Sequence, residues 1–329
     1  AVFGSLKAFI ANRVGDLGFL LAIGLILSYF GSLDYDVVFA QASQFTASSM
    51  SIIPGVHWSL LTVISILLFV GAAGKSAQVP LHIWLPESME GPTPISALIH
   101  AATMVTAGVY MLCRMSPLIE YSQVALSVVL ILGAVTCLFM GILGIIQHDI
   151  KRVIAYSTLS QLGYMMIGVG SSAYGAGLFH LFAHGCFKAL LFLAAGSVII
   201  GMKHDQDKRN MGGLWRYMPI TWLTFLVGGL ALAAIPPFAG FYSKDTIIAA
   251  AHYGAVHHMN FGATFAYWCA LLGAFVTAVY TFRAFFLTFH GKRKFDQAKM
   301  QVKESPWVVT VPLVVLAIPA ALLGMFAVK

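Results

Sequence analysis

The sequence predicts an all-α fold, a polytopic membrane helix bundle of about nine spans, two of them discontinuous, in an inverted-repeat arrangement. Three observations predict it. The 329 residues are 59% hydrophobic and 9% charged, with a mean hydropathy of +0.86. A soluble domain cannot hide that much apolar surface, whereas a membrane protein turns it toward lipid. Apolar runs recur along the whole chain at about 20 residues, the length that crosses a hydrocarbon core of roughly 30 Å. Two of these runs are cut by proline and glycine, with a lysine near each cut.

The first span, 3–30, follows directly from AVFGSLKAFIANRVGD, which has no initiator Met and no cleavable signal pattern. It reads as a chain beginning partway through a larger protein. The loop 31–57 carries Asp34 and Asp36 but no lysine or arginine. The second span, 58–85, is interrupted from Gly74-Lys75 to Pro80 and closes at Pro86; 95–114, 122–147, 151–170 and 174–200 follow as uninterrupted spans. The span 151–170 is unusually polar through Tyr156, Ser157, Thr158, Ser160, Gln161 and Tyr164, which suits water beside a path or helix–helix hydrogen bonds equally well. The seventh, 217–253, breaks at Ile235-Pro236-Pro237-Phe238-Ala239-Gly240, and 262–289 and 306–327 complete the set. Proline removes an amide donor and clashes with the preceding turn, so both broken helices must unwind locally. Unwound backbone at membrane depth is tolerated only against protein or a wet cavity. The two breaks lie five crossings apart, so they run in opposite directions, as an inverted repeat requires. The organisation expected is 1–114 as the latter part of one repeat, 122–289 as a second repeat, and 306–329 as an additional helix.

The net charge of +7 is topological. Alternating the loops puts Lys7, Arg13, Lys151, Arg152, Lys203, Lys208, Arg209, Arg216, Lys292, Arg293, Lys294, Lys299 and Lys303 on one side. The other side holds only Arg114 and Lys329. The positive-inside rule makes the basic side cytoplasmic, or matrix in an organelle. Nucleic acid is not expected as a partner; the lipid bilayer is. Cys113, Cys137, Cys186 and Cys269 are isolated within apolar spans, with no CxxC or other metal spacing, and read as packed thiols.

The chemistry lies in charges at membrane depth. An intramembrane charge is costly, about 2.5–3.5 kcal/mol on insertion scales, and such residues usually face an interior pathway. Lys75, Lys188 and Lys244 are placed this way, with His100, His180 and His184 in similar company. His180, His184 and Lys188 are spaced i, i+4, i+8 and share one helical face. HLFAH lacks the glutamate of HExxH and shows no third ligand, so a proton relay is preferred to a metal site. Asp16, Asp245, Asp149 and Lys151 are secondary candidates, the last two reading equally well as solvated loop charges. Gly74-Lys75-Ser76 resembles the end of a phosphate-binding loop, but Phe69 stands where that motif needs glycine. No GxGxxG or GxSxG occurs either.

The stretch GKSAQVPLHIWLPESMEGPTPISALIHAATMVTAGVY (74–110) closely resembles the antiporter-like membrane subunits of NADH:quinone oxidoreductase, respiratory complex I, most of all the branch called subunit L or chain 5. HDIKRVIAYSTLSQLGYM (148–165), FHLFAHGCFKALLFL (179–193), NMGGL (210–214) and AGFYSKD (239–245) extend the resemblance over essentially the whole chain. The resemblance implies that Lys75 is the lysine of the first broken helix, paired with a glutamate on an earlier helix. It implies that His100, His180, His184 and Lys188 form a central hydrophilic axis, that Lys244 is an exit lysine, and that Asp16 is the acidic residue before the first break. These subunits carry no redox centre and bind no cofactor; NADH, FMN, iron–sulfur clusters and quinone are expected in other subunits. Other membrane subunits are the expected partners, a neighbouring antiporter-like subunit above all. The expected location is a bacterial inner membrane, or a mitochondrial one. The family has further helices before residue 1 and after residue 329, so no residue of this chain is expected to partner Lys75. The alternatives are the large subunit of a multi-subunit sodium/proton antiporter and a membrane-bound hydrogenase subunit. Met104-Val105-Thr106-Ala107-Gly108 favours complex I, because in the antiporter relatives a lysine tends to interrupt this stretch.

Overall fold

The computed structural model describes residues 2–296 and 301–327. Lys299 and Lys329 lie outside the described residues. The helices in chain order are α1 (Val2–Phe30), α2 (Tyr35–Gln41), α3 (Leu60–Lys75), α4 (Thr93–Ala101), α5 (Met104–Arg114), α6 (Ser116–Ile119), α7 (Gln123–Ile146), α8 (Ile150–Gly170), α9 (Tyr174–Gly201), α10 (Pro219–Leu232), α11 (Ala239–Val256), α12 (Ala263–Phe289) and α13 (Trp307–Ala327). Among the described residues, six helical segments are long and apolar enough to cross a membrane, and the chain is an integral membrane protein. The loop 31–57 is more ordered than its composition suggests. The Asp34 side chain accepts from the Asp36 amide to cap α2. Beyond it, β1 (Ser49–Ile53) and β2 (Val56–Ser59) pair antiparallel around Pro54-Gly55.

Helix α8 is the hub. It packs against α5, α7, α9, α11 and α12, and every residue in it except Arg152 and Tyr156 is buried. A helix surrounded by protein need not present an apolar face to lipid, which explains how its serines, threonines and Gln161 are accommodated at membrane depth. Small residues set the close packing: a Cβ on Gly163 would fall 2.5 Å from the Cys137 amide nitrogen of α7, and one on Gly170 would fall 2.6 Å from that of Leu130.

Both broken spans have the expected outline. The second leaves helix at Lys75, runs irregularly through 76–85 and ends in a 3₁₀ turn, Pro86–Glu90; the seventh separates into α10 and α11. The third span is a correction. Rather than one helix over 95–114, it divides at Ala102-Thr103 into α4 and α5, with no proline at the division. Threonine hydroxyls satisfy local carbonyls there: Thr103 Oγ1 donates to Leu98 O (2.8 Å) and Thr106 Oγ1 to Ala102 O (2.9 Å). Side chains that bond nearby backbone offer an alternative to continuous helix.

The basic loops gather on one face. The 146–149 turn and the 202–210 loop meet through the Asp149–Asp207 bridge, Gly213 N donates to His290 O (3.2 Å), and Arg293 donates to the Tyr217 hydroxyl (3.2 Å). Glu304 ties this face to the second broken helix, since its carboxylate accepts from the amides of Ile220 (2.8 Å) and Thr221 (3.3 Å) at the start of α10. Lys208 departs from the rest, because it is fully buried and its Nζ makes no hydrogen bond. Burial, with the Arg283 guanidinium adding to it, lowers its pKa from the ordinary 10.5 to about 8. Between those two values the unfolded chain holds a proton that the folded chain releases, so stability should rise with pH across that interval. Lys208→Met should abolish this rise and melt higher than the parent at neutral pH. Thermal unfolding in detergent at several pH values checks it, and parallel pH profiles for variant and parent would disprove it.

Candidate functional site at the helix breaks

Each helix break frees backbone carbonyls, and titratable side chains claim several of them. At the second break, Leu232 is the last residue of α10, and its carbonyl would normally accept from the amide four residues on. That residue is Pro236, which has no N–H. Lys244 Nζ donates to the Leu232 carbonyl instead (2.8 Å). The ammonium also lies 5.0 Å from the centre of the Tyr164 ring. Lys244 is buried, and it reaches this carbonyl because α11 restarts hard against α10: a Cβ on Gly240 would lie 1.7 Å from the Ala231 oxygen.

The α9 stripe faces the same interior. His180, His184 and Lys188 are each fully buried. His180 Nδ1 pairs with the Ser243 hydroxyl of α11 (2.8 Å) and Nε2 with Gln161 Oε1 of α8 (3.1 Å). The rings of His180 and His184 are 6.4 Å apart. Lys188 Nζ donates to the Ser157 hydroxyl and lies 3.4 Å from the Ile154 carbonyl, both on α8.

The α4–α5 division supplies the next carbonyl. Ala101 ends α4, and His184 Nδ1 bonds its oxygen (3.3 Å). A carbonyl only accepts, so Nδ1 carries the hydrogen and His184 Nε2 is a bare nitrogen that makes no hydrogen bond. His100, one residue earlier, is fully buried with its ring 5.1 Å from that of Phe192 on α9. Its Nε2 pairs with the Ser88 hydroxyl (3.1 Å), which itself donates to Leu85 O (2.6 Å). Ser88 therefore accepts from Nε2–H, leaving His100 Nδ1 bare as well. Each neutral imidazole thus presents one buried ring nitrogen without a hydrogen bond.

The first break carries a second correction. Lys75 has an acidic partner within this chain: its Nζ lies 3.0 Å from Asp16 Oδ1, and Arg13 approaches the same carboxylate at 3.5 Å. The pair forms because Gly15 and Gly74 let α1 and α3 cross closely; a Cβ on either would lie 3.0 Å from the other's Cα. Here the freed Ser76 carbonyl, whose usual donor would be the missing amide of Pro80, is taken by Gln78 Nε2 (3.0 Å). The pair is half-exposed, unlike the buried centre.

The secondary candidates separate. Asp149 is the N-cap of α8, its Oδ1 accepting from the amides of Lys151 (2.8 Å) and Arg152 (3.1 Å). Lys151 is buried and clamps the end of the first break through Met89 O (2.7 Å) and Gly91 O (2.8 Å). Neither is a solvated loop charge. Asp245 adjoins Lys244 in sequence, but it is exposed while Lys244 is buried, so α11 turns it out of the site. Ser88 and Ser243 were not singled out from the sequence; the position of Ser243, three residues after Gly240 and directly before Lys244, was the available signal.

The family described as "NADH:quinone oxidoreductase/Mrp antiporter, TM" matches residues 2–280. NADH-quinone oxidoreductase subunit L of Neisseria meningitidis is 57% identical, the match covering 100% of this chain and 51% of that protein. NADH-ubiquinone oxidoreductase chain 5 of Chondrus crispus is 46% identical over 97% of this chain and 48% of that protein. The chain thus spans about half the length of the curated relatives it matches. Among solved structures, the Mrp complex from Dietzia sp. DQ12-45-1b superposes with a TM-score of 0.83 at 26% identity, over 98% of this chain and 34% of that one. The archaeal membrane-bound sulfane sulfur reductase superposes at 0.85 and 28% identity, over 98% and 53%. With the match running from α1 into α12, through both broken helices and the α9 stripe, the chain belongs to the NADH:quinone oxidoreductase/Mrp antiporter transmembrane family.

Proposed function

We propose that this chain forms the proton-translocating part of a subunit L or chain 5 type membrane subunit of NADH:quinone oxidoreductase. Protons move along Lys75, His100, His184, Lys188, His180 and Lys244, driven by quinone reduction elsewhere in the complex, with Asp16 holding Lys75. NADH, FMN, iron–sulfur clusters and quinone belong to other subunits, and a neighbouring antiporter-like subunit is a partner. The basic face is cytoplasmic or matrix, in a bacterial or mitochondrial inner membrane.

The observation that carries this reading is the buried centre itself. Lys188 and Lys244 are enclosed, and among the described residues neither has a carboxylate in an ion pair; serine hydroxyl and backbone carbonyls hold them. An amine enclosed at this depth without a counter-ion is one whose proton a change in a neighbouring charge can move. Resemblance in fold to the Mrp complex supports sodium/proton exchange as a second reading, while the higher identity to subunit L favours the first.

The test is proton and sodium flux in vesicles carrying the parent complex, measured with and without sodium. Sodium-independent proton uptake that falls about tenfold or more in Lys244→Met is expected, within the span of proton-transfer effects. Proton flux that disappears when sodium is withdrawn would select the antiporter reading.

A further inference from the structure

We propose that Ser243 is the positioning residue through which protonation of His180 is communicated to the second helix break. The inference deepens the proton-relay reading and rests on it. Ser243 is fully buried at the start of the second turn of α11, and its hydroxyl has two partners: His180 Nδ1 at 2.8 Å and the Gly240 carbonyl at 3.3 Å. A hydroxyl has one hydrogen to give, so it serves one of them at a time.

Gln161 makes the choice depend on His180. Its Oε1 lies 3.1 Å from Nε2 and only accepts, which keeps a hydrogen on Nε2 in both protonation states. With His180 neutral, Nδ1 is a bare acceptor and Ser243 donates to it. When His180 gains a proton at Nδ1, that nitrogen becomes a donor to Oγ. The hydroxyl keeps its own hydrogen, which can then point only to the Gly240 carbonyl. The pair has gained one proton, and each ring N–H and the Ser243 hydroxyl has an acceptor in both states. Such a network is a two-state element rather than a strained compromise.

The second state adds a hydrogen bond at the residue where movement is most constrained. Gly240 packs on the last turn of α10, against the Ala231 oxygen, and the next carbonyl in that turn, Leu232, is the one that holds Lys244. Protonation of His180 on α9 is thereby registered at the contact between the two halves of the broken helix. The titratable groups around His180 are Tyr164 from α8, Lys244 from α11, and His184 and Lys188 from its own helix; none of them bonds a ring nitrogen of His180.

The test uses the full parent complex in vesicles, following proton translocation across a range of pH. Ser243→Ala should slow translocation about tenfold, as loss of a hydrogen bond to a charged group predicts, and displace its pH profile. Ser243→Thr, which keeps the hydroxyl, should restore both rate and profile, and Ser243→Cys should restore them in part. Translocation by Ser243→Ala within about twofold of the parent and with the same profile would overturn the proposal. So would Thr and Cys variants no better than Ala. Lys188→Ala measured alongside separates the two levels: if it pumps normally, the relay reading fails, and if it is inactive while Ser243→Ala is not, the Ser243 assignment alone fails.

Discussion

Lys188→Ala is expected to remove most proton translocation by the assembled complex while the subunit still folds and assembles. Loss of a proton-transfer group typically costs about 10²–10⁴-fold in rate. The expectation that folding survives comes from what the substitution leaves behind. Breaking one half of a buried polar contact is usually destabilising because the other half is stranded. Here it is not stranded. The Ile154 carbonyl that Lys188 approaches also accepts from Ser157 Oγ (2.7 Å) and Thr158 Oγ1 (3.1 Å), so it remains satisfied without the ammonium. The cost of enclosing a polar amine disappears with the side chain, which offsets part of the cavity. Lys188→Met, which refills that space without a charge, should be at least as stable as Lys188→Ala and equally inactive. Acidification in vesicles read beside assembly on native gels checks both halves. Normal pumping stoichiometry in either variant would end the role assigned to Lys188, and failure to assemble in both would show that the lysine is structural.

The sequence carried the parts of this site that depend on local chemistry. Runs of about 20 apolar residues located the spans because lipid admits little else. Pro80 and Pro236 located two breaks because a missing amide is a property of one residue. The i, i+4, i+8 spacing put His180, His184 and Lys188 on one face because helical geometry is fixed. The remainder depends on tertiary placement. The division at Ala102-Thr103 has no proline to announce it, and the Ala101 carbonyl it frees is claimed by a histidine from another helix. Asp16 meets Lys75 only because Gly15 and Gly74 bring two backbones together, and nothing about a glycine in sequence says which helix it will face. The basic-side count places Lys208 among the loop charges without saying how deep it lies, and the loop folds it inward beside Arg283. Asp245 shows the converse: adjacency in sequence to a buried lysine turns a side chain by about 100° around the helix, enough to carry it out of the site.

Helix breaks therefore do two things at once: they unwind the span, and they present carbonyls that hold titratable side chains without adding a counter-charge. Lys244 on Leu232 and His184 on Ala101 are the two instances in the buried centre. Lys75 differs, being held by a carboxylate in a half-exposed setting. A charge fixed by an opposite charge and one fixed by a carbonyl respond differently when a neighbouring site is protonated, because only the first has a compensating anion to retain it.

Gly240→Ala is expected to be the most damaging single-methyl change in the chain. The added Cβ would sit 1.7 Å from the Ala231 oxygen and 2.8 Å from its carbonyl carbon, both backbone atoms that no rotamer change can move. Relief requires α11 to shift away from the end of α10 by more than an ångström, beyond the ordinary overpacking cost of about 1–3 kcal/mol. That shift would also pull Lys244 from the Leu232 carbonyl and Ser243 from His180, each now at 2.8 Å. Stability and proton transfer should therefore fail together, which distinguishes this change from Lys188→Met. Two controls bracket it. Gly24→Ala in α1 meets nothing within 4 Å and should be neutral or gain up to about 1 kcal/mol from helix propensity. Gly324→Ala meets the Tyr242 ring at 2.4 Å, which side-chain movement can partly relieve, and the Ala239 Cα at 2.9 Å, a milder backbone contact than that of Gly240, and should fall between them. Assembly yield and vesicle acidification measured for all three would order them, and a Gly240→Ala complex that assembles and pumps like the parent would mean that the close contact of α10 with α11 is not what holds Lys244 in place.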